Sequence, residues 1–303
     1  MTFLVRAAWA MAIGVTPVAW AEANPVDTVF RDLLHARSFG TGGAFRALGL
    51  NGDTVGGNPA AMTLYPRFQT ELSGAMEFDG RLTFGTLSVM DSSSNKLAAG
   101  VSYTFAQLGS GDYARTLNME TFAFAMPVAP WLHFGISARH VLMSGSSKGP
   151  AGALGAPNKN AITGDAGLIL RIGQIFNLGL SAHNLIDTRH PELSRYFVAS
   201  GGLVMNMFAL SADVRADFGA LPSGAASDAD PGSTPVLGWS VGAEYILGVV
   251  PVRAGFQSDP ILGARYLSGG LGLMTDTGNI DIAYRHQLDG TARLVAISVK
   301  LGN

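Results

Sequence analysis

The segment FALSADVRADF, residues 208–218, sets Phe208, Leu210, Ala212, Val214, Ala216 and Phe218 against Ala209, Ser211, Asp213, Arg215 and Asp217. Successive side chains of an extended chain point to opposite faces, so strict period two means a strand with one apolar and one polar face. The pattern recurs. LAAGVSYTFA (97–106) opposes Leu97, Ala99, Val101, Tyr103 and Phe105 to small or polar residues. RFQTELSGAMEF (67–78) sets Phe68, Leu72, Met76 and Phe78 against Gln69, Glu71, Ser73 and Glu77. AITGDAGLILRI (161–172) sets Ile162, Ala166, Leu168, Leu170 and Ile172 against Thr163, Asp165 and Arg171.

About fourteen such segments follow one another, each near the roughly 9–11 residues of a tilted membrane strand. The expected spans are 67–78, 81–90, 96–106, 115–128, 131–142, 161–172 and 176–184, then 196–205, 208–218, 236–246, 250–257, 266–274, 279–287 and 293–301. The second and fourth fit least well, because Glu120 falls in register with Phe122 and Phe124. The fold class this predicts is all-β: a transmembrane antiparallel β-barrel of about fourteen strands.

Composition agrees. The chain of 303 residues is 48% hydrophobic and only 14% charged, where a soluble domain carries roughly 25% charge. Beyond residue 21 no stretch is apolar for the roughly 20 residues that a membrane helix requires. A net charge of -2 gives no electrostatic case for nucleic acid. The absence of cysteine excludes disulfides, thiolate metal sites, a cysteine nucleophile and a lipoprotein anchor.

At the N-terminus, Arg6 precedes the apolar run AAWAMAIGVTPVAWA, which ends in Ala19-Trp20-Ala21. This has the length and the A-x-A ending of a signal peptide cleaved after Ala21, and Gly14 and Pro17 argue against an uncleaved anchor helix. NPVDTVFRDLLHAR (24–37) then places Val26, Phe30, Leu33 and Leu34 on one face of a short amphipathic helix. The expected organisation is a signal peptide over 1–21, an amphipathic helix and plug over 22–66, and a barrel over 67–303.

The connections sort by length. After the first hairpin, DSSSN, AP, GQI, NM, GVV and TDTG alternate with longer loops such as SGSSKGPAGALGAPNKN and GALPSGAASDADPGSTP. Short periplasmic turns and longer external loops are the habit of an outer-membrane barrel, and a soluble sandwich or propeller has no reason for it. Aromatics on the apolar parity fall near both strand ends. Phe78, Phe105, Phe218, Trp239 and Phe256 lie toward the long loops, and Phe176, Phe208 and Tyr245 toward the short turns. Two aromatic girdles are expected at the lipid interfaces. Trp131 has the wrong parity for either.

No phosphate-binding loop, zinc-protease helix, calcium loop or nucleophile elbow occurs. Six histidines are scattered, and His133 and His140 have opposite parity, so no metal or catalytic site and no cofactor is expected. The polar face carries Glu71, Arg139, Asp165, Arg171, Asp213, Arg215, Glu244, Arg253, Asp281 and Arg285. Charges of this kind belong in the lumen, which fixes the parity. They suit either a polar path or a mutually neutralising network that braces the wall and grips a plug. The interspersed signs favour the network.

The stretch GTGGAFRALGLNGDTVGGNPAAM (40–62) precedes the first strand. As a dinucleotide loop it fails, because no strand leads into it. Its Gly40, Gly42, Gly43, Ala44, Phe45, Ala47 and Leu48, followed by Asn58, Pro59, Ala60 and Met62, resemble the hatch of the FadL/PorV-like outer-membrane barrels. The resemblance covers roughly 37–62 and implies a fourteen-strand barrel plugged by this segment, with Gly40, Gly42, Gly43, Phe45, Asn58 and Pro59 as its defining residues. It also implies a place in the outer membrane of a Gram-negative bacterium, in contact with membrane lipid, and passive transport of a small hydrophobic solute. The alternative is a non-enzymatic subunit or adaptor of an envelope-spanning machine with periplasmic or envelope-complex partners. A transporter opening through its wall is expected to bulge or kink an early strand, with Gly85 and Gly100 as candidate positions.

Overall fold

The computed structural model describes residues 33–78, 82–108, 115–145, 159–188, 193–219 and 234–302. The signal segment 1–21 and the helical span up to residue 32 lie outside them. Fourteen strands form one closed antiparallel barrel in which every strand pairs with its sequence neighbours. The first seven are β1 (Phe68–Glu77), β2 (Leu82–Asp91), β3 (Ala98–Leu108), β4 (Arg115–Ala129), β5 (Leu132–Gly145), β6 (Lys159–Ile172) and β7 (Phe176–His183). The others are β8 (Tyr196–Met205), β9 (Phe208–Asp217), β10 (Val236–Leu247), β11 (Val250–Asp259), β12 (Ala264–Met274), β13 (Gly278–Gln287) and β14 (Arg293–Leu301). Closure comes from β1 on β14, with Thr70 opposite Leu301 through to Glu77 opposite Leu294. A closed sheet leaves no unpaired edge, which is what hydrocarbon demands of a backbone.

Burial follows the parity expected from the sequence. On β9, Leu210 and Val214 are exposed outward, and Ala209, Ser211 and Asp213 are buried. Leu72, Ile136, Leu180 and Leu237 belong to the same continuous exposed band. An apolar surface of this extent is suited to lipid, not water. The girdle residues Phe78, Phe105, Phe218 and Trp239 face outward on the long-loop side, as does Tyr245 on the short-turn side. Trp239 packs on Phe256 with ring centroids 5.1 Å apart.

Several details depart from the sequence expectation. Trp131 lies in the turn between β4 and β5, beside a register shift between Pro127 and Ala129, so strand parity does not govern it. Its ring is exposed like the rest of the girdle. Glu120 does point outward, and it pairs directly across the sheet with His140, Oε2 to Nδ1 at 2.6 Å. Strands β4–β6 are 15, 14 and 14 residues long, and Glu120 stands nine residues from the turn end of β4. At roughly 3.3 Å per residue and a tilt near 45° this is about 21 Å, close to the far edge of an apolar band about 25 Å tall. The pair therefore sits near the external interface.

Gly85 and Gly100 carry no bulge, since the β1–β2, β2–β3 and β3–β4 registers run without a shift. Gly100 instead faces inward, where a Cβ would stand 2.9 Å from Met62 Sδ and Val55 Cγ2. Of the expected helix over 24–37, only residues 33–37 lie within the described part. Leu33 to His35 are not helical, and α1 (Ala36–Gly40) begins after His35, whose backbone is extended at φ -73°, ψ 159°. His35 takes this conformation with its backbone N–H donating to both Asp53 carboxylate oxygens, at 3.0 and 3.1 Å.

Candidate functional site

Residues 33–66 lie inside the barrel and touch wall strands around its circumference. α1 packs on β11–β14 and β1, α2 (Thr54–Gly57) on β3 and β4, and a 3-10 turn (Pro59–Thr63) on β4–β6. Asn177 of β7 donates to the Ala47 carbonyl at 3.0 Å, and Ser211 of β9 to the Ala44 carbonyl at 2.7 Å. The segment is buried along nearly its whole length, with Ala44, Ala47, Val55, Asn58, Ala60, Ala61 and Met62 fully enclosed.

Glycine makes the close approach possible on two opposite sides. At Gly135 of β5 a Cβ would stand 2.5 Å from Ala60 N and 2.6 Å from the Pro59 carbonyl carbon. At Gly255 of β11 a Cβ would collide with Gly42 N and the Thr41 carbonyl carbon. Gly42 itself has φ +66°, a left-handed conformation that glycine adopts without strain. Asn58, extended as a residue before proline prefers, starts the 3-10 turn by accepting from Ala61 N at 3.0 Å. Its side-chain amide lies against Gly167 of β6 and Gly179 of β7.

The lumenal charges close into pairs. Asp165 accepts from Arg139 at 2.8 Å, and Arg139 also donates to the Gly56 carbonyl at 3.0 Å. Asp213 accepts from Arg46 at 3.0 Å and from Phe45 N at 3.4 Å. Arg253 bridges Glu244 and Asp281, and Glu244 also takes Arg37. Arg215 donates to Asp259 at 2.7 Å. Arg171 donates to the Leu64 carbonyl at 3.3 Å, and Arg285 lies over the rings of Phe39 and Tyr266 at 4.9 and 4.5 Å. Glu71 accepts from Gly52 N at 2.8 Å. All ten charges placed in the lumen by parity face inward, and seven of them touch residues 33–66. Asp165, Arg215 and Asp281 instead pair with the wall.

The segment has its own polar centre. His35 Nδ1 lies 2.7 Å from Asp53 Oδ1, and Asn51 Nδ2 donates to Asp53 Oδ2 at 2.8 Å. Its Nε2 reaches Ser88 Oγ of β2 at 3.3 Å. Burial opposes the charged imidazole, but Glu71 and Asp53 outweigh it and push His35 up to about 9. Burial likewise works against the Asp53 carboxylate, and His35 beside it holds the carboxyl below its usual range. Burial, with Arg37 nearby, lowers Arg67 to about 10.

Spacing and parity did not reveal Arg37, Arg46 and His35 as wall-contact residues, or Asp53 as the partner of His35. The signal in hindsight is charge within an otherwise apolar glycine-rich segment, since a buried charge requires a partner. His133 faces inward and meets Thr63 Oγ1 at 2.7 Å, while His140 faces outward, as their parity requires. His183 contacts Ser181 Oγ at 2.9 Å, and its Nδ1 lies 3.5 Å from Asp165. This group is buried in the wall.

Three cavities between the segment and the wall measure about 10, 50 and 30 Å³. Sites for small molecules run from about 300 Å³ upward, so none of the three holds a solute with the segment in this position.

No family model and no curated relative matches the chain. Solved structures do. The CymD monoaromatic hydrocarbon channel superposes with a TM-score of 0.63 at 15% identity, covering 92% of this chain and 98% of its own. The toluene transporter TbuX of Ralstonia pickettii gives 0.61 at 12%, covering 92% and 98%. The chain has the fold of FadL-type outer-membrane channels. A FadL homologue of Pseudomonas aeruginosa shares it, with a TM-score of 0.59 at 13% identity over 88% and 97% of the two chains. At these identities the likeness is one of fold, and it agrees with the membrane-spanning barrel read from the exposed apolar band.

Proposed function

We propose that this FadL-type barrel resides in the outer membrane of a Gram-negative bacterium and passively admits a small hydrophobic solute, with residues 33–66 as its plug. The observation that carries the reading is the packing of 33–66 against the wall by backbone contacts at glycines and by single ion pairs. Gly40, Gly42, Gly43, Phe45, Asn58 and Pro59 form the contact surface of the plug. Support for a hydrophobic solute comes from the solved neighbours, which include a monoaromatic hydrocarbon channel and toluene transporters. Because the three described cavities beside it measure at most about 50 Å³, passage of a solute calls for the plug to shift. Each ion pair then acts as a clasp between plug and wall, and the chain's own residues supply binding and gating without covalent chemistry.

A second reading is a closed adaptor barrel of an envelope machine. Its support is the balanced charge network together with long loops rich in Gly, Ala, Ser and Pro, which offer little apolar capture surface. Affinity purification of the tagged protein from mild-detergent membranes, with mass spectrometry of proteins and small molecules, separates the two. A lone barrel carrying a hydrophobic molecule supports transport, and stoichiometric periplasmic partners without such a molecule support the adaptor.

A further inference from the structure

Four alanines on neighbouring strands, Ala166, Ala182, Ala199 and Ala216, interrupt the large outward side chains of β6–β9. They floor a groove of about 400 Å³ on the outside of the barrel, bounded by Phe134 and Phe197. Its size falls within the roughly 300–1,000 Å³ range of ligand sites. Ala166 pairs with Ala182, Ala182 with Phe197, and Phe197 with Ala216, so the groove crosses the strands along the hydrogen-bonding direction. Because barrel strands tilt, that direction is oblique to the membrane. The groove begins at the long-loop ends of β8 and β9, where Phe197 and Ala216 are each one residue from the strand end, and descends to Phe134, two residues from the turn end of β5.

The groove is continuous with the exposed apolar band, so its neighbour is hydrocarbon and an acyl chain is the occupant that fits. A second feature stands at its mouth. Arg195 immediately precedes β8 and is exposed. Its carbonyl accepts from Phe218 N at 3.1 Å, and the Phe218 ring meets Phe197 edge-on at 5.5 Å. Among the described residues, the Arg195 guanidinium makes one hydrogen bond, to the Leu185 carbonyl at 3.3 Å. A guanidinium has five donors in a fork that matches phosphate oxygens. The cation therefore lies at headgroup level above an apolar furrow, with one of its five donors engaged among the described residues.

We propose that this groove binds one anionic phospholipid, with an acyl chain along the alanine floor and the phosphate on Arg195. The site lies on the lipid side of the wall and does not depend on the solute or on plug movement.

The test uses the full-length folded chain in detergent, titrated with phosphatidylglycerol or phosphatidylcholine, with bound lipids counted by native mass spectrometry. Wild type is expected to retain one phosphatidylglycerol at about tenfold lower lipid concentration than phosphatidylcholine, the tenfold step corresponding to about 1.4 kcal/mol. Arg195→Ala removes that preference. Ala182→Phe, which fills the furrow, lowers retention of both lipids about tenfold or more, and Ala212→Phe, outward on β9 but beyond the groove, leaves retention unchanged. Equal retention of the two lipids by wild type overturns the proposal, as does undiminished retention by Ala182→Phe. A dimer that loses its contact in Ala182→Phe also overturns it, by assigning the groove to a second copy. Heat-modified electrophoretic mobility verifies folding of each variant, and Arg195→Ala, at an exposed rim position, remains informative if a groove-filling variant does not fold.

Discussion

The variant Gly135→Ala, Gly255→Ala probes the plug at two close wall contacts on opposite sides of the barrel. At Gly135 the added methyl meets the backbone of Pro59 and Ala60, and at Gly255 it meets that of Thr41 and Gly42. Backbone on both sides cannot turn aside as a flexible side chain does. Overpacking of this kind costs about 1–3 kcal/mol per site. The sheet is closed and fully paired, so the cheaper response is withdrawal of the plug. A penalty of about 1–3 kcal/mol shifts the undocked population by about 5- to 150-fold. The two sites lie six strands apart, so their effects should add. Gly201→Ala is the control, because a Cβ there meets nothing within 4 Å. The assay is ion conductance in planar bilayers, with sensitivity of expressing cells to a bulky antibiotic as the cellular counterpart. Conductance is expected to rise in each single variant and further in the double variant. A folded double variant with wild-type conductance refutes the reasoning that these contacts seat a plug.

Three other outcomes follow from the same geometry. The raised value of His35 means that its pairing stabilises docking in full below about pH 6.5 and loses that contribution as pH rises through about 9. Asp53, being lowered, contributes above its ordinary range near 3.8 and loses this as pH falls through its depressed value. Protection of residues 35–53 from limited proteolysis should therefore be highest between about pH 4 and 6.5 and decline toward pH 9, while His35→Gln should flatten the alkaline limb. Asp213→Ala leaves Arg46 buried without its counter-ion, at a cost of about 3–5 kcal/mol, and should lower the melting temperature followed by heat-modified mobility. Ala212→Arg puts a charge on the lipid face at mid-strand in β9 and should cost about 2–4 kcal/mol in urea unfolding from vesicles, while a polar substitution at the inward Ser211 beside it spares the lipid contact.

The barrel was legible because its information is local. A period-two segment such as 208–218 declares its two faces without reference to the rest of the chain, and fourteen of them with sorted loops leave one architecture. Parity also assigned ten charges to the polar face. Partner choice was hidden, since Arg46 meets Asp213 across 167 residues and Arg37 meets Glu244 across 207. Barrel curvature and the path of 33–66 decide such pairs, and neither leaves a periodic trace. Glu120 misled for a different reason: the alternation is one-dimensional, whereas the depth of a residue in the membrane depends on strand length and tilt. Gly100 misled because glycine accommodates either a bent wall or a close neighbour, and only the position of Met62 and Val55 distinguishes them.

The most direct test of the central claim is the flux of a hydrophobic solute. Proteoliposomes containing the purified full-length chain would be offered labelled toluene, with uptake measured against protein-free liposomes and against the Gly135→Ala, Gly255→Ala variant. A plugged channel predicts protein-dependent uptake that increases when the plug is loosened. Uptake equal to that of empty liposomes from folded wild type and variant alike would contradict transport and leave the barrel as an adaptor.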